Sequence, residues 1–244
     1  MIKAYARTDK GNVRENNEDY FYISNSLDEV QLYLLADGMG GYNGGEIASK
    51  LAVQTAKNYI ENNFKDIEKD KDSIIQLLGS SMEYANMVVY EKSKETPELQ
   101  GMGTTLEICL IYNNKAYIGH VGDSRIYRVR KQFIRKLTQD HSYVQKLVKD
   151  GTITPEQAEK HPQKNILLKV LGCNAFIEPD VMVKGFLKED VLVMCSDGLS
   201  NMVTQDDIYK MASGNIEQAT VDLVDKANEN GGYDNITVVI IKNI

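Results

Sequence analysis

The sequence predicts an α+β protein built from two mixed, mostly antiparallel sheets flanked by helix pairs. Three observations lead there. Strand-like apolar runs come in meanders, and amphipathic segments come in pairs, without the strict strand–helix alternation of a parallel sheet. No Pro/Ser/Gly-rich tract, repeat or long single-sign run breaks the 244 residues, so 1–244 is expected to be one continuous domain.

The first strands are expected at Ile2–Arg7, Asp19–Ile23 and Gln31–Ala36. Glu46–Phe64 then reads as a helix, because Ile47, Leu51, Ala52, Ala56, Tyr59, Ile60 and Phe64 recur at helical spacing. A second helix follows over Ser73–Lys94, with Asp72 or Ser73 as its cap. Thr105–Tyr112 turns at Asn113-Asn114 into Lys115–Val121, and Arg125–Arg130 pairs with Gln132–Leu137. Asp140–Leu171 is polar and helical in character, and Thr154-Pro155 reads as an N-cap followed by proline at the first helical position. Strands return at Phe176–Lys184, Val191–Cys195 and Ile236–Lys242. Helices near Gln205–Ala212 and Glu217–Asn228 separate the last two.

Composition narrows the function. Acidic residues number 35 against 28 basic, a net charge of −7, so a broad basic face for nucleic acid is not expected. Cys109, Cys173 and Cys195 lie in apolar stretches and read as buried reduced thiols. The N-terminal residues carry no signal-like apolar core, and no run approaches the roughly 20 residues of a membrane span. A cytoplasmic monomer is the expectation.

The chemistry is carried by aspartates at strand ends. Leu32–Ala36 runs into Asp37-Gly38-Met39-Gly40-Gly41, Tyr117–Gly122 into Asp123-Ser124, and Val191–Ser196 into Asp197-Gly198. Asp234 stands just before the last strand. Any one of these is ordinary turn chemistry. Four at strand ends can share one rim, where ionised carboxylates repel unless a cation compensates. Oxygen-only donors favour Mg²⁺ or Mn²⁺, and two such ions can activate water and clamp a phosphoryl oxygen. Gly38, lacking a side chain, would let its carbonyl approach such an ion. Arg14, shortly before Glu18-Asp19, offers a planar fork that suits phosphate.

These segments together resemble the metal-dependent protein phosphatase (PPM) family, the type-2C serine/threonine phosphatases, in its short bacterial form. The resemblance runs nearly end to end. Its motifs are Arg14-x-x-Asn17-Glu18-Asp19, Asp37-Gly38-Met39-Gly40-Gly41, Gly45-Glu46-x-Ala48-Ser49 and Gly101-Met102-Gly103-Thr104-Thr105. They continue with Val121-Gly122-Asp123-Ser124-Arg125-x-Tyr127, Leu137-Thr138-x-Asp140-His141-Ser142, Ser196-Asp197-Gly198-Leu199 and Gly232-x-Asp234-Asn235-x-Thr237.

The resemblance implies an α-β-β-α sandwich and a protein serine/threonine phosphatase with two Mn²⁺ or Mg²⁺ ions and room for a third. It makes Asp37 the bridging carboxylate, with the Gly38 carbonyl on one ion and Asp197 and Asp234 on the other. Asp123 would share a third ion with Asp197. Glu18 and Asp19 would hold metal-associated waters, and Arg14 would bind phosphate. Residues from about 141 to 171 match the mobile flap beside the cleft. The expected reaction is in-line attack on phosphorus by a hydroxide bridging the two ions, without a phosphoenzyme. Met39 replaces the histidine found in many animal members and cannot donate a proton. His120 and His141 read as packing and loop residues, and His161 as exposed. Phosphorylated proteins and a cognate serine/threonine kinase are the implied partners. A catalytically weak phosphoprotein-binding pseudophosphatase and a metal-dependent phosphodiesterase stand as alternatives.

Overall fold

The computed structural model describes residues 1–25, 30–40 and 44–244; Gly41 of the Asp-Gly-Met-Gly-Gly motif lies outside them. One sheet holds β1 (Ile2–Asp9), β7 (Arg125–Arg130), β8 (Phe133–Lys136), β10 (Val191–Cys195) and β11 (Ile236–Asn243), in the order β1-β11-β10-β7-β8. The other holds β2 (Asp19–Ile23), β3 (Gln31–Met39), β5 (Leu106–Tyr112), β6 (Lys115–Val121) and β9 (Asp180–Gly185), in the order β2-β3-β5-β6-β9. A two-residue strand, β4 (Gly103–Thr104), pairs with the end of β3. The strand pairings among the described residues are antiparallel, so the parallel component expected of mixed sheets is not found there.

Helices α1 (Gly44–Phe64) and α2 (Lys71–Lys92) cover one sheet, and α6 (Gln205–Ala212) and α7 (Ile216–Glu229) cover the other. Three cores fill the three interfaces of these four layers. Leu32, Leu34 and Ala36 of β3 face α1 and α2, while Tyr33 and Leu35 face the opposite sheet. In β11, Val238 and Ile240 face α7, while Val239 and Ile241 meet Leu35 and Ile118 between the sheets. Both faces of β3 and of β11 are buried, which is why these two strands read as unbroken apolar runs instead of alternating.

Local chemistry sets the ends. The Asn113-Asn114 hairpin has both residues at positive φ (46° and 57°), as a two-residue type I′ turn requires. Thr154 and Gln157 form a reciprocal capping box at α4 (Pro155–Glu159), which follows α3 (Tyr143–Lys149). The cap of α2 is Asp70, not Asp72 or Ser73: its Oδ1 accepts from both of their main-chain N–H groups, at 2.8 and 2.9 Å. Three expectations need correction. Phe176 is exposed and β9 starts only at Asp180, because the preceding residues run outside the sheet. Cys173 is exposed, whereas Cys109 and Cys195 are buried. His161 is half-buried against the Tyr143 ring, at 6.3 Å between centroids.

Ile118 lies fully buried between the sheets. Ile118→Ala should destabilise the fold by about 3 kcal/mol through lost contacts and a residual cavity. A thermal melt by circular dichroism checks this, with an expected midpoint drop of about 6–12 °C.

Candidate active site

The strand ends carrying the aspartates meet at one edge of the sandwich. Asp19 and Asp37 are direct cross-strand partners in β2 and β3. Cys195, two residues before Asp197, is flanked in its sheet by Arg125 and by Val238, so the Asp123 turn and the Asp234 segment lie to either side. Asp197 is not a turn residue after β10. It opens the short helix α5 (Asp197–Ser200), with Ser196 at the N-cap.

Asp19, Asp37 and Glu18 are held from behind. Asp37 is fixed by its main chain: its N–H donates to Thr105 Oγ1 at 2.9 Å, and its C=O accepts from Thr104 Oγ1 at 2.8 Å and Thr105 N at 2.9 Å. Asp19 Oδ2 accepts from Ser196 Oγ at 2.8 Å, and that hydroxyl in turn accepts from Thr237 N at 2.9 Å. Asn235 joins three segments: Oδ1 accepts from Glu18 N, and Nδ2 donates to the carbonyls of Lys10 and Asn16. Thr105, Ser196 and Asn235 lie inside the motifs quoted above, but their supporting role depends on contacts between distant segments and has no local signature.

The glycines serve this convergence. A Cβ on Gly38 would stand 2.1 Å from the Gly45 carbonyl oxygen and 2.6 Å from that of Glu18. One on Gly198 would stand 2.0 Å from the Asn235 carbonyl oxygen. The absent side chain at Gly38 is thus first a requirement of backbone packing.

Electrostatics follow from the crowding. Burial, then the charges of Asp19, Asp197, Asp123 and Asp234, push Asp37 well above the usual carboxylate range. Burial raises Asp19 to about 7 against hydrogen bonds from Thr237 and Ser196 that lower it. Burial and then Asp197 raise Asp123 to about 7. Asp197 is raised by burial and by Asp234, and lies within hydrogen-bonding reach of Asp37. Glu18 is raised mainly by burial. Arg14 is the countercharge: its Nη2 donates to Asp234 Oδ2 at 2.9 Å, with the arginine side chain 51% exposed at the mouth.

The carboxylates are gathered but not closed. Among the described residues no three His, Cys, Asp or Glu side chains form a ready coordination shell. Two observations fit a divalent cation there: the donors are all oxygen, and Asp19 Oδ1 is buried without a hydrogen-bond partner. Arg14, Glu18, Asp19, Asp37, Gly38, Asp123, Asp197 and Asp234 therefore share one region.

A protein phosphatase 2C profile matches residues 11–231. The serine/threonine phosphatase stp of Listeria welshimeri is 37% identical over 244 residues, covering 99% of this chain and 96% of that protein. Protein phosphatase PhpP of Streptococcus pneumoniae is 37% identical over 237 residues, covering 96% and 94%. Among solved structures, the S. agalactiae serine/threonine phosphatase superposes with a TM-score of 0.91 at 37% identity, covering 100% of both chains. The catalytic domain of the phosphatase PstP, solved in complex with two manganese ions, superposes with a TM-score of 0.86 at 31% identity, covering 99% and 97%. With a family profile matched over residues 11–231 and full-length relatives at 37% identity, the chain belongs to the protein phosphatase 2C family.

Proposed function

We propose that this chain hydrolyses phosphoserine and phosphothreonine on proteins, as a metal-dependent serine/threonine phosphatase. The carrying observation is the half-exposed Arg14 fork poised over Asp234 at the mouth of the carboxylate cluster. An arginine at the mouth selects a phosphoryl dianion, and carboxylates beneath it hold the cations that dianion needs.

Asp37 and the Gly38 carbonyl, with Asp197 and Asp234, would hold two divalent ions of the Mn²⁺ or Mg²⁺ type. Asp123 and Asp197 would hold a third. When bound, such ions supply a hydroxide nucleophile near neutral pH and neutralise charge on the phosphoryl group. The remaining work belongs to this chain. Arg14 orients the phosphoryl oxygens and stabilises the charge that builds on them. Glu18 and Asp19 accept hydrogen bonds from water at the cluster. The Asp37 main chain, held by Thr104 and Thr105, fixes the geometry. Met39 leaves the leaving oxygen to be protonated from water. The whole chain, 1–244, would act as one catalytic unit with a flap over about 141–171. It would work in the cytoplasm as a monomer opposing a serine/threonine kinase. Among the described residues no helix is long and apolar enough to cross a membrane.

Asp37→Asn or Asp197→Asn should lower turnover of a phosphothreonine peptide in Mn²⁺ by about a hundredfold or more, since several kcal/mol of charge stabilisation go with the ions. Near-normal turnover by either folded variant would remove the assignment. Arg14→Ala should cost about 10²-fold in kcat/KM, with little rescue by lysine, because the planar fork is what binds.

The metal-free fold holds protons on Asp19 and Asp123 more tightly than the unfolded chain, at about 7 against 3.8. The contribution of these two groups to stability is therefore full below about pH 4 and is lost as pH rises through about 7. In EDTA the melting point should be lower at pH 7.5 than at pH 5. Saturating Mn²⁺ should raise it at pH 7.5 by about 5–10 °C, and by less at pH 5.

A further inference from the structure

The start of the proposed flap is pinned residue by residue. The Gln139 carbonyl accepts from His120 Nε2 at 2.8 Å. The Asp140 carboxylate takes Arg125 Nη2 at 2.7 Å and Lys136 Nζ at 3.0 Å. His141 is engaged on three sides. Its main-chain N–H donates to the Gly122 carbonyl at 2.7 Å, and its Nδ1 accepts from Gly122 N at 3.1 Å. Its Nε2 faces Asp180 Oδ2 of β9 at 3.3 Å, and its ring stacks on His120 at 4.5 Å between centroids.

Gly122 is the residue before Asp123. Its φ is +116°, and a Cβ there would meet Thr105 at 2.5 Å. With no side chain, Gly122 can be held only by its N–H and C=O, and His141 takes both. Accepting at Nδ1 requires a ring that carries its proton on Nε2, the tautomer that donates to Asp180. Burial and the neighbouring His120 hold this imidazole neutral, at about 4. His120 is itself seated by the fully buried Glu107, its cross-strand partner in β5. Burial raises the Glu107 carboxyl, and Glu107 in turn raises His120, so the proton stays within that pair.

The far end of the flap leads to the same place. Leu168 N donates to the His141 carbonyl at 2.7 Å, and Lys169 Nζ meets Asp180 Oδ1 at 3.4 Å. Leu171 exchanges both main-chain hydrogen bonds with Thr104, the residue that holds the Asp37 carbonyl.

We propose that His141 is a positioning residue for the reaction, setting the Gly122–Asp123 turn and tying it to the base of the flap. This rests on the phosphatase reading. His141 touches neither substrate nor metal; it acts through Gly122 on where the Asp123 carboxylate points. The stack beneath it, Glu107–His120, gives the ring a fixed floor between the two sheets.

The test uses the purified full chain and His141→Phe, which keeps the stacked ring but loses the acceptor. His141→Asn serves as rescue, since its Oδ1 can stand where Nδ1 stood. In the metal-free protein, the Gly122 amide should exchange about fivefold faster in His141→Phe, as for a lost hydrogen bond, and regain protection in His141→Asn. With Mn²⁺ and p-nitrophenyl phosphate, kcat should fall about 10-fold or more in His141→Phe with KM little changed. The weakest class of Mn²⁺ sites in a calorimetric titration should weaken by a similar factor. Asp123→Asn should reproduce this, and the double variant should be no worse than either single one. Unchanged Gly122 exchange, or kinetic losses of the two substitutions that multiply, would overturn the proposal. An inactive parent chain would instead remove the phosphatase reading, and the exchange result would still judge the positioning role.

Discussion

Like charges crowded where little water can reach them are the constraint around which this molecule is arranged. Asp19, Asp37, Asp123 and Asp197 are each raised by burial and by the charge of at least one neighbouring aspartate. Left to themselves such carboxylates would turn outward or take up protons. Here their backbones are fixed by the fold: Asp19 and Asp37 are paired residues of β2 and β3, Asp197 opens α5, and Asp123 and Asp234 sit in segments that adjoin β7 and β11. Hydroxyls and amides from other segments hold the peptide groups: Thr104 and Thr105 behind Asp37, and Asn235 behind Glu18. Electrostatic tension is thus kept by a scaffold whose stability lies in the three apolar cores between its layers.

The division of labour explains what could be read in advance. Apolar runs such as Leu32–Ala36 and Val191–Cys195 announce strands, and the aspartates that follow them announce a rim. The order of motifs announces the family. Gln205–Ala212 even matches its helix to the residue, because both ends carry local signals. Asp70 was missed as a cap although it is a standard capping type, because Asp72 and Ser73 compete for the role at neighbouring positions. Cys173 sits after an apolar stretch yet ends exposed, since the chain leaves the sheet there.

Other features had no local signature at all. That Asp197 starts a helix depends on Ser196 being pulled toward Thr237 and Asp19, 41 and 177 residues away in sequence. The Glu107–His120 pair lies 13 residues apart and becomes visible only when β5 and β6 are registered. A glutamate inside an otherwise apolar strand, Leu106–Tyr112, was the available hint. A buried charge there must have a partner on the neighbouring strand or across the sheets.

The pairing of β1 with β11 has a consequence for how the molecule comes into being. β1 lies beside β11 along its whole length, from Ile2 with Asn243 to Asp9 with Ile236. During synthesis β1 leaves the ribosome well before β11 and must wait for the more than two hundred intervening residues before its neighbour exists. The sheet with helices α6 and α7 therefore closes late, and such long-range pairing is slow. Asp234 lies just ahead of β11. The cluster stays open on that side until β11 arrives, so a nascent chain has no assembled cleft with which to act on phosphoproteins around it.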